Sequence, residues 1–142
     1  HIAAHEEQLE ISLEKIVDAC QSISTTVNRP VIVEGAGGLL APLNHHEFSI
    51  DLAKQLNATM ILVSCNYLGS INHSLMTAEI CKAKNIPVAG WIFNKQYLHY
   101  EEEIAAWSGL EIIAKIPECA IIDHTFIKEQ ATGLREKLIS CL

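Results

Sequence analysis

Three short stretches of this 142-residue chain combine residue types that can do chemistry. They are Glu34-Gly35-Ala36-Gly37-Gly38, Gly69-Ser70-Ile71-Asn72-His73 and Asn94-Lys95. Glu34 follows Val31-Ile32-Val33, so a strand there would aim a carboxylate out of a sheet edge. A hard oxygen donor in that place suits Mg²⁺, which binds through one or two carboxylates plus phosphate oxygens. Gly35, Gly37 and Gly38 let the main chain approach a ligand and offer N–H donors to an anion. The same residues also make an ordinary tight turn carrying a solvated acid. The stretch is not a GxGxxG dinucleotide fingerprint and lacks the acid that should follow it.

Gly69-Ser70-Ile71-Asn72 opens a helical pattern, and helix N-termini hold carboxylate or phosphate groups through exposed N–H donors. Simple capping by Ser70 or Asn72 accounts for the same residues. Asn94, at the end of an apolar run, can read a base edge with its paired donor and acceptor, or simply form a turn. The acidic run Glu101-Glu102-Glu103 reads as a solvated helix start that favours the dipole. His45 and His46 fall in a polar loop without a partner at metal-ligand spacing, and His5, His99 and His124 carry no motif.

These residues need elements to position them. Leu9, Leu13, Ile16, Val17 and Cys20 stripe one face of a helix over residues 6–27, ended by Asn28 and Pro30. Apolar runs at 31–33, 59–64, 88–94 and 111–116 predict four strands. Helices are predicted at 47–57, from Ser70 with Ile71, Leu75, Ala78 and Cys81 on one side, near 100–108, and near 132–141. A helix–strand pair repeated four times, then a helix, argues for an α/β domain with a parallel sheet sandwiched by helices. Ligands of such a sheet bind beyond the carboxyl ends of its strands, so all three stretches are expected to share one rim. No repeat or linker divides the chain, which reads as one domain spanning 1–142.

Composition supports this class and excludes others. Hydrophobic residues are 49% and aromatics only 6%, with 19 Ile and 15 Leu, which excludes a disordered chain and suits buried parallel strands. A net charge of −7 argues against nucleic acid as a partner. No apolar run approaches the length of a membrane span. The five cysteines form no CxxC pair, so reduced, packed thiols in a cytoplasmic protein are expected.

Taken together, VIVEGAGGLLAPL, GSINHSLMTAEI and PVAGWIFN resemble, in order, the characteristic stretches of the dethiobiotin synthetase family. The opening HIAA resembles the segment before that family's long helix. The resemblance implies a P-loop nucleotide-hydrolase-like fold, a homodimer, and the joining of CO₂ to 7,8-diaminononanoate with ATP and Mg²⁺. It further implies that Glu34 is a Mg²⁺ ligand and that Glu34, Gly35, Ala36 and Gly37 lie at the nucleotide. Gly38 would lie close to the substrate. Gly69, Ser70, Ile71 and Asn72 would hold the substrate's terminal carboxylate across the dimer. Asn94 and Lys95 would meet the adenine, with Pro117, Glu118 and Cys119 bordering it. An adenine-contacting acid could be Asp123, a place His124 fits equally, and a substrate tyrosine could be Tyr100.

One departure is large. No G-x-x-x-x-G-K-[ST] occurs, so the phosphate cradle and its lysine are missing, as is the family's separate catalytic lysine. Catalytic lysines are therefore expected upstream of residue 1, with the chain an N-terminally incomplete and inactive portion of a longer enzyme. Lys95 also stands where Asp or Arg is common. Two other readings compete. A cobyrinate-type ATP-dependent amide synthase shares the Glu-Gly-Ala-Gly-Gly turn, but Gly69 to His73 tells against it. A non-catalytic interaction module that lost its P-loop is the other.

Overall fold

The computed structural model describes residues 2–27, 29–95 and 98–141. His1, in the opening HIAA, and Asn28, read as a helix stop, lie outside the described residues. Two compact units are present, His1–Ala58 and Thr59–Leu142.

The first unit holds α1 (Ile2–Glu6), α2 (Leu13–Thr26) and α3 (Ser49–Gln55). The single helix expected over 6–27 is interrupted. Gln8 adopts a left-handed conformation (φ 57°), and the N–H groups of Gln8 and Leu9 fold back onto the carbonyls of His5 and Ala4. The chain restarts at Ser12, whose hydroxyl accepts from the Lys15 N–H at 3.3 Å. Leu13 and Val17 are buried on α2, while Leu9 is exposed. Ahead of α3, Pro42 bridges Phe48 in antiparallel fashion around a turn organised by Asn44. The Asn44 Oδ1 accepts from the N–H groups of His46 and Glu47, both at 2.9 Å. Asp51 reaches back to the Phe48 N–H at 2.8 Å and starts α3, which buries Ile50 and Ala53.

The strand expected at 31–33 does not form. Ile32 is 89% exposed, and Pro30 offers no ladder donor. A strand exists only when a neighbour takes up its backbone groups, and the described residues of this unit supply none beyond the Pro42–Phe48 bridge.

The second unit alternates strictly: β1 (Met60–Cys65), α4 (Ser70–Ala83), β2 (Val88–Asn94), α5 (Glu101–Ser108), β3 (Ile112–Ile116) and α6 (His124–Ser140). Its strands form a parallel sheet in the order β1-β2-β3. The expected α/β class is therefore correct, with three described strands in place of four. Leu62, Trp91, Phe93, Ile104 and Ile113 form the core, and Trp91 donates through Nε1 to the Ser108 hydroxyl at 2.9 Å. The buried line on α4 runs Ser70, Ser74, Ala78, Cys81, leaving Ile71 and Leu75 half-buried. One polar bond explains the shift: the hydroxyls of Ser64 on β1 and Ser74 on α4 meet at 2.8 Å. The last helix starts at His124, well before residue 132, because Asp123 caps it by accepting from the Phe126 N–H at 2.8 Å. No described helix is long and apolar enough to cross a membrane.

Candidate functional site

The carboxyl edge of the second unit's sheet collects several of the predicted residues. Cys65, Asn94 and Ile116 are partners across the three strands, so the segments leaving them emerge on one rim. Asn66 to Ser70 leave β1, Asn94 and Lys95 close β2, and Pro117, Glu118 and Cys119 follow β3. Asn94 and Lys95 are exposed, and Lys95 turns left-handed (φ 56°) while its N–H donates to the Ile116 carbonyl at 3.2 Å. Pro117 and Glu118 are exposed; the half-buried Cys119 thiol donates to the Ile121 carbonyl at 3.0 Å. Asp123 is committed to capping α6, and the adjacent His124, its first residue, is exposed.

Gly69 is the residue before α4 and sits at φ 99°, a conformation that L side chains rarely adopt. From it the chain enters a 14-residue helix whose Ile71 and Asn72 N–H groups have no acceptor one turn earlier within the helix. Ser70 does not cap this end. Its side chain is buried, and its hydroxyl accepts from the Tyr67 N–H at 3.2 Å. The Tyr100 hydroxyl donates to the Tyr67 carbonyl at 2.8 Å and lies 2.9 Å from Ser70 Oγ. Tyr100 has one hydroxyl proton, and the carbonyl takes it. Ser70 must therefore donate to Tyr100. Asn72 stays exposed and donates from Nδ2 to the Met76 sulfur at 3.4 Å. His73 Nδ1 and the Tyr67 hydroxyl are 2.6 Å apart on the outer face.

Behind this loop lies a pair that sequence reading missed. Glu101, expected in a solvated acidic run, is only 2% exposed, and its Oε1 accepts from Asn66 Nδ2 at 2.7 Å. Asn66 is 5% exposed, and its buried Oδ1 has no hydrogen-bond partner among the described residues. No local signal reveals the pair, because its members lie 35 residues apart. The rest of the run behaves as expected: Glu102 is exposed and pairs with Lys115 at 2.6 Å.

Glu34 to Gly38 belong to the first unit and are an exposed, irregular segment that bends at Gly37. Gly37 is left-handed (φ 86°), and the Gly38 carbonyl accepts from the Ala41 N–H at 2.9 Å. A Cβ on Gly35 or Gly38 would meet nothing within 4 Å, so packing does not explain those glycines. Among the described residues no three His, Cys, Asp or Glu side chains lie together as a metal cage. A single exposed carboxylate beside open N–H groups is nevertheless the donor set that fits Mg²⁺ carried mainly by phosphate and water. His45 and His46 are exposed, as expected for their loop.

A parallel sheet with helices between its strands is consistent with a P-loop nucleotide-hydrolase-like α/β fold. The AAA domain family model matches residues 1–125, and the chain belongs to that family. Within it, the chain is similar to proteins named ATP-dependent dethiobiotin synthetase BioD. That of Nitrosospira multiformis is 46% identical over 95 residues, covering 67% of this chain and 42% of the relative. That of Cytophaga hutchinsonii is 47% identical over 94 residues (66% and 43%). That of Aeromonas salmonicida is 38% identical over 113 residues (78% and 50%). The resemblance read from the three motif stretches is thus correct, and the chain matches about half the length of these relatives.

Proposed function

We propose that this chain is part of an ATP- and Mg²⁺-dependent cyclo-ligase that converts 7,8-diaminononanoate and CO₂ to dethiobiotin. In this reading both units belong to one P-loop NTPase-like domain of a cytoplasmic homodimer. The observation that supports it is the left-handed Gly69 opening α4 at the sheet's carboxyl edge, in a chain so similar to named dethiobiotin synthetases. A helix start of this kind suits a carboxylate, through its free N–H groups and the positive end of its dipole.

The reaction has three steps. One amine of the substrate adds to CO₂, losing a proton, to give a carbamate. The carbamate oxygen takes the γ-phosphoryl group of ATP, releasing ADP. The second amine attacks the carbonyl carbon of that mixed anhydride, loses a proton, expels phosphate and closes a cyclic urea. Gly69, Ser70, Ile71 and Asn72 would hold the substrate's distant carboxylate, fixing the amines by their tail. Gly38 would border the substrate. Asn94 and Lys95 would meet the adenine, bordered by Pro117, Glu118 and Cys119. Glu34 would hold Mg²⁺, and Gly35, Ala36 and Gly37 would bring backbone N–H groups to the nucleotide. Bound there, Mg²⁺ supplies charge neutralisation at the phosphates.

Phosphoryl transfer depends on positioning and on positive charge at the transferred group. The 142 residues contain no P-loop lysine to supply that charge, so this chain by itself is expected to be inactive. The test uses the protein expressed from its natural reading frame. Calorimetric titration should detect binding of diaminononanoate and ATP, and adding bicarbonate should trigger Mg²⁺-dependent phosphate release. Failure of phosphate release would sink the reading.

A further inference from the structure

We propose that Asn66 and Glu101 are positioning residues for the substrate carboxylate: their buried bond fixes the loop that presents the start of α4. This inference rests on the ligase reading, because the carboxylate it serves is that of diaminononanoate. Asn66 is the first residue after β1, and Glu101 is the first residue of α5. Their side chains meet at 2.7 Å in the interior, where a polar pair is retained only at the cost of desolvating both members. Among the described residues the Asn66 Oδ1 has no hydrogen-bond partner. Burying an acceptor unpaired is unfavourable, so packing alone would favour an apolar pair of similar size.

The geometry gives the pair a purpose. Tyr100 and Glu101 are consecutive, and both grip the same loop: Tyr100 through the Tyr67 carbonyl and Ser70 Oγ, Glu101 through Asn66. Tyr67 in turn donates its N–H to Ser70 Oγ, and Ser70 donates its own N–H to the Tyr67 carbonyl at 2.9 Å. The start of α5 therefore brackets the loop 66–70 at both ends. Gly69, which has no side-chain anchor and a left-handed backbone, lies between the anchored Tyr67 and Ser70, the first residue of α4. Without the bracket, the loop would have to be ordered at each binding event, which weakens binding by that cost.

The experiment compares Asn66→Ala, Glu101→Ala and Glu101→Gln in the protein expressed from its natural reading frame. Gln at 101 keeps an acceptor for Asn66 Nδ2 and brings an N–H₂ for the orphan Oδ1, so it should restore what Ala removes. Both alanine variants should raise KM for diaminononanoate about tenfold, the cost of one buried hydrogen bond, with kcat and the KM for ATP unchanged. With the methyl ester of diaminononanoate, which lacks the carboxylate charge, wild type and variants should not differ. Hydrogen exchange supplies a readout independent of activity: in Asn66→Ala the Tyr67, Ser70 and His73 amides should exchange faster, with β2 and β3 unchanged. A fall in kcat without a KM change, an equal loss with the ester, or unaltered exchange would overturn the positioning role. If wild type shows no bicarbonate-dependent phosphate release, the ligase reading fails and this role in substrate binding fails with it. Exchange then still reports whether the bracket orders the loop.

Discussion

Ser70 Oγ and the Tyr100 hydroxyl lie 2.9 Å apart, 30 residues distant in sequence, and each also bonds the backbone of Tyr67. A side chain at the start of α5 thus holds the turn that opens α4. The hydroxyl of Tyr100, a candidate substrate group, is already committed within the protein.

Tyr100→Phe keeps the ring and removes the hydroxyl, leaving the Tyr67 carbonyl and the Ser70 proton without this partner. The cost should be about 1 kcal/mol, the usual net worth of a hydrogen bond that is not fully buried. Urea unfolding should show a lower midpoint with an unchanged slope.

Glu34→Gln keeps the size of an exposed side chain and removes its charge. Thermal stability should hold, while Mg²⁺-dependent phosphate release by the protein from its natural reading frame falls roughly tenfold or more. Unchanged turnover across a Mg²⁺ titration would refute the metal assignment.

Two glycines should respond in opposite directions. Gly90 sits at φ 152° in the central strand, and a Cβ there would lie 2.5 Å from the Glu111 carbonyl oxygen. Gly90→Ala must spread β2 from β3 and should destabilise by about 3 kcal/mol or more. Gly133 lies within α6, exposed, with nothing near its missing Cβ. Gly133→Ala should stabilise by about 0.5–1 kcal/mol, as helix propensity dictates. Melting curves of the two variants test both signs.

Burial pushes the Cys81 thiol above its ordinary value of 9.0. Once the pH passes the unfolded value, the thiol ionises in the unfolded chain but stays protonated in the folded one, which favours unfolding. Its contribution is therefore complete below about pH 9 and is lost as pH rises through the folded value. Cys81 should resist a thiol reagent at pH 8 until the chain unfolds, while the half-buried Cys20, Cys65, Cys119 and Cys141 react. Stability measured against pH should fall on the alkaline side, and Cys81→Ala should flatten that fall.

What the sequence determined was local. Apolar runs of six or seven residues bounded by Gly, Asn and Pro marked β1 and β2, and Gly69-Ser70 marked the entry to α4. Composition and periodicity carry such features because each depends on a few neighbouring residues. Tertiary structure decided the rest. The run at 31–33 is as apolar as β1, yet strand formation needs a partner, and none is present among its unit's described residues. Glu101 reads like Glu102 and Glu103, yet it is buried because Asn66, 35 residues away, supplies its donor. Residue type sets what a side chain can bond, but only the fold brings the second member of the bond within reach.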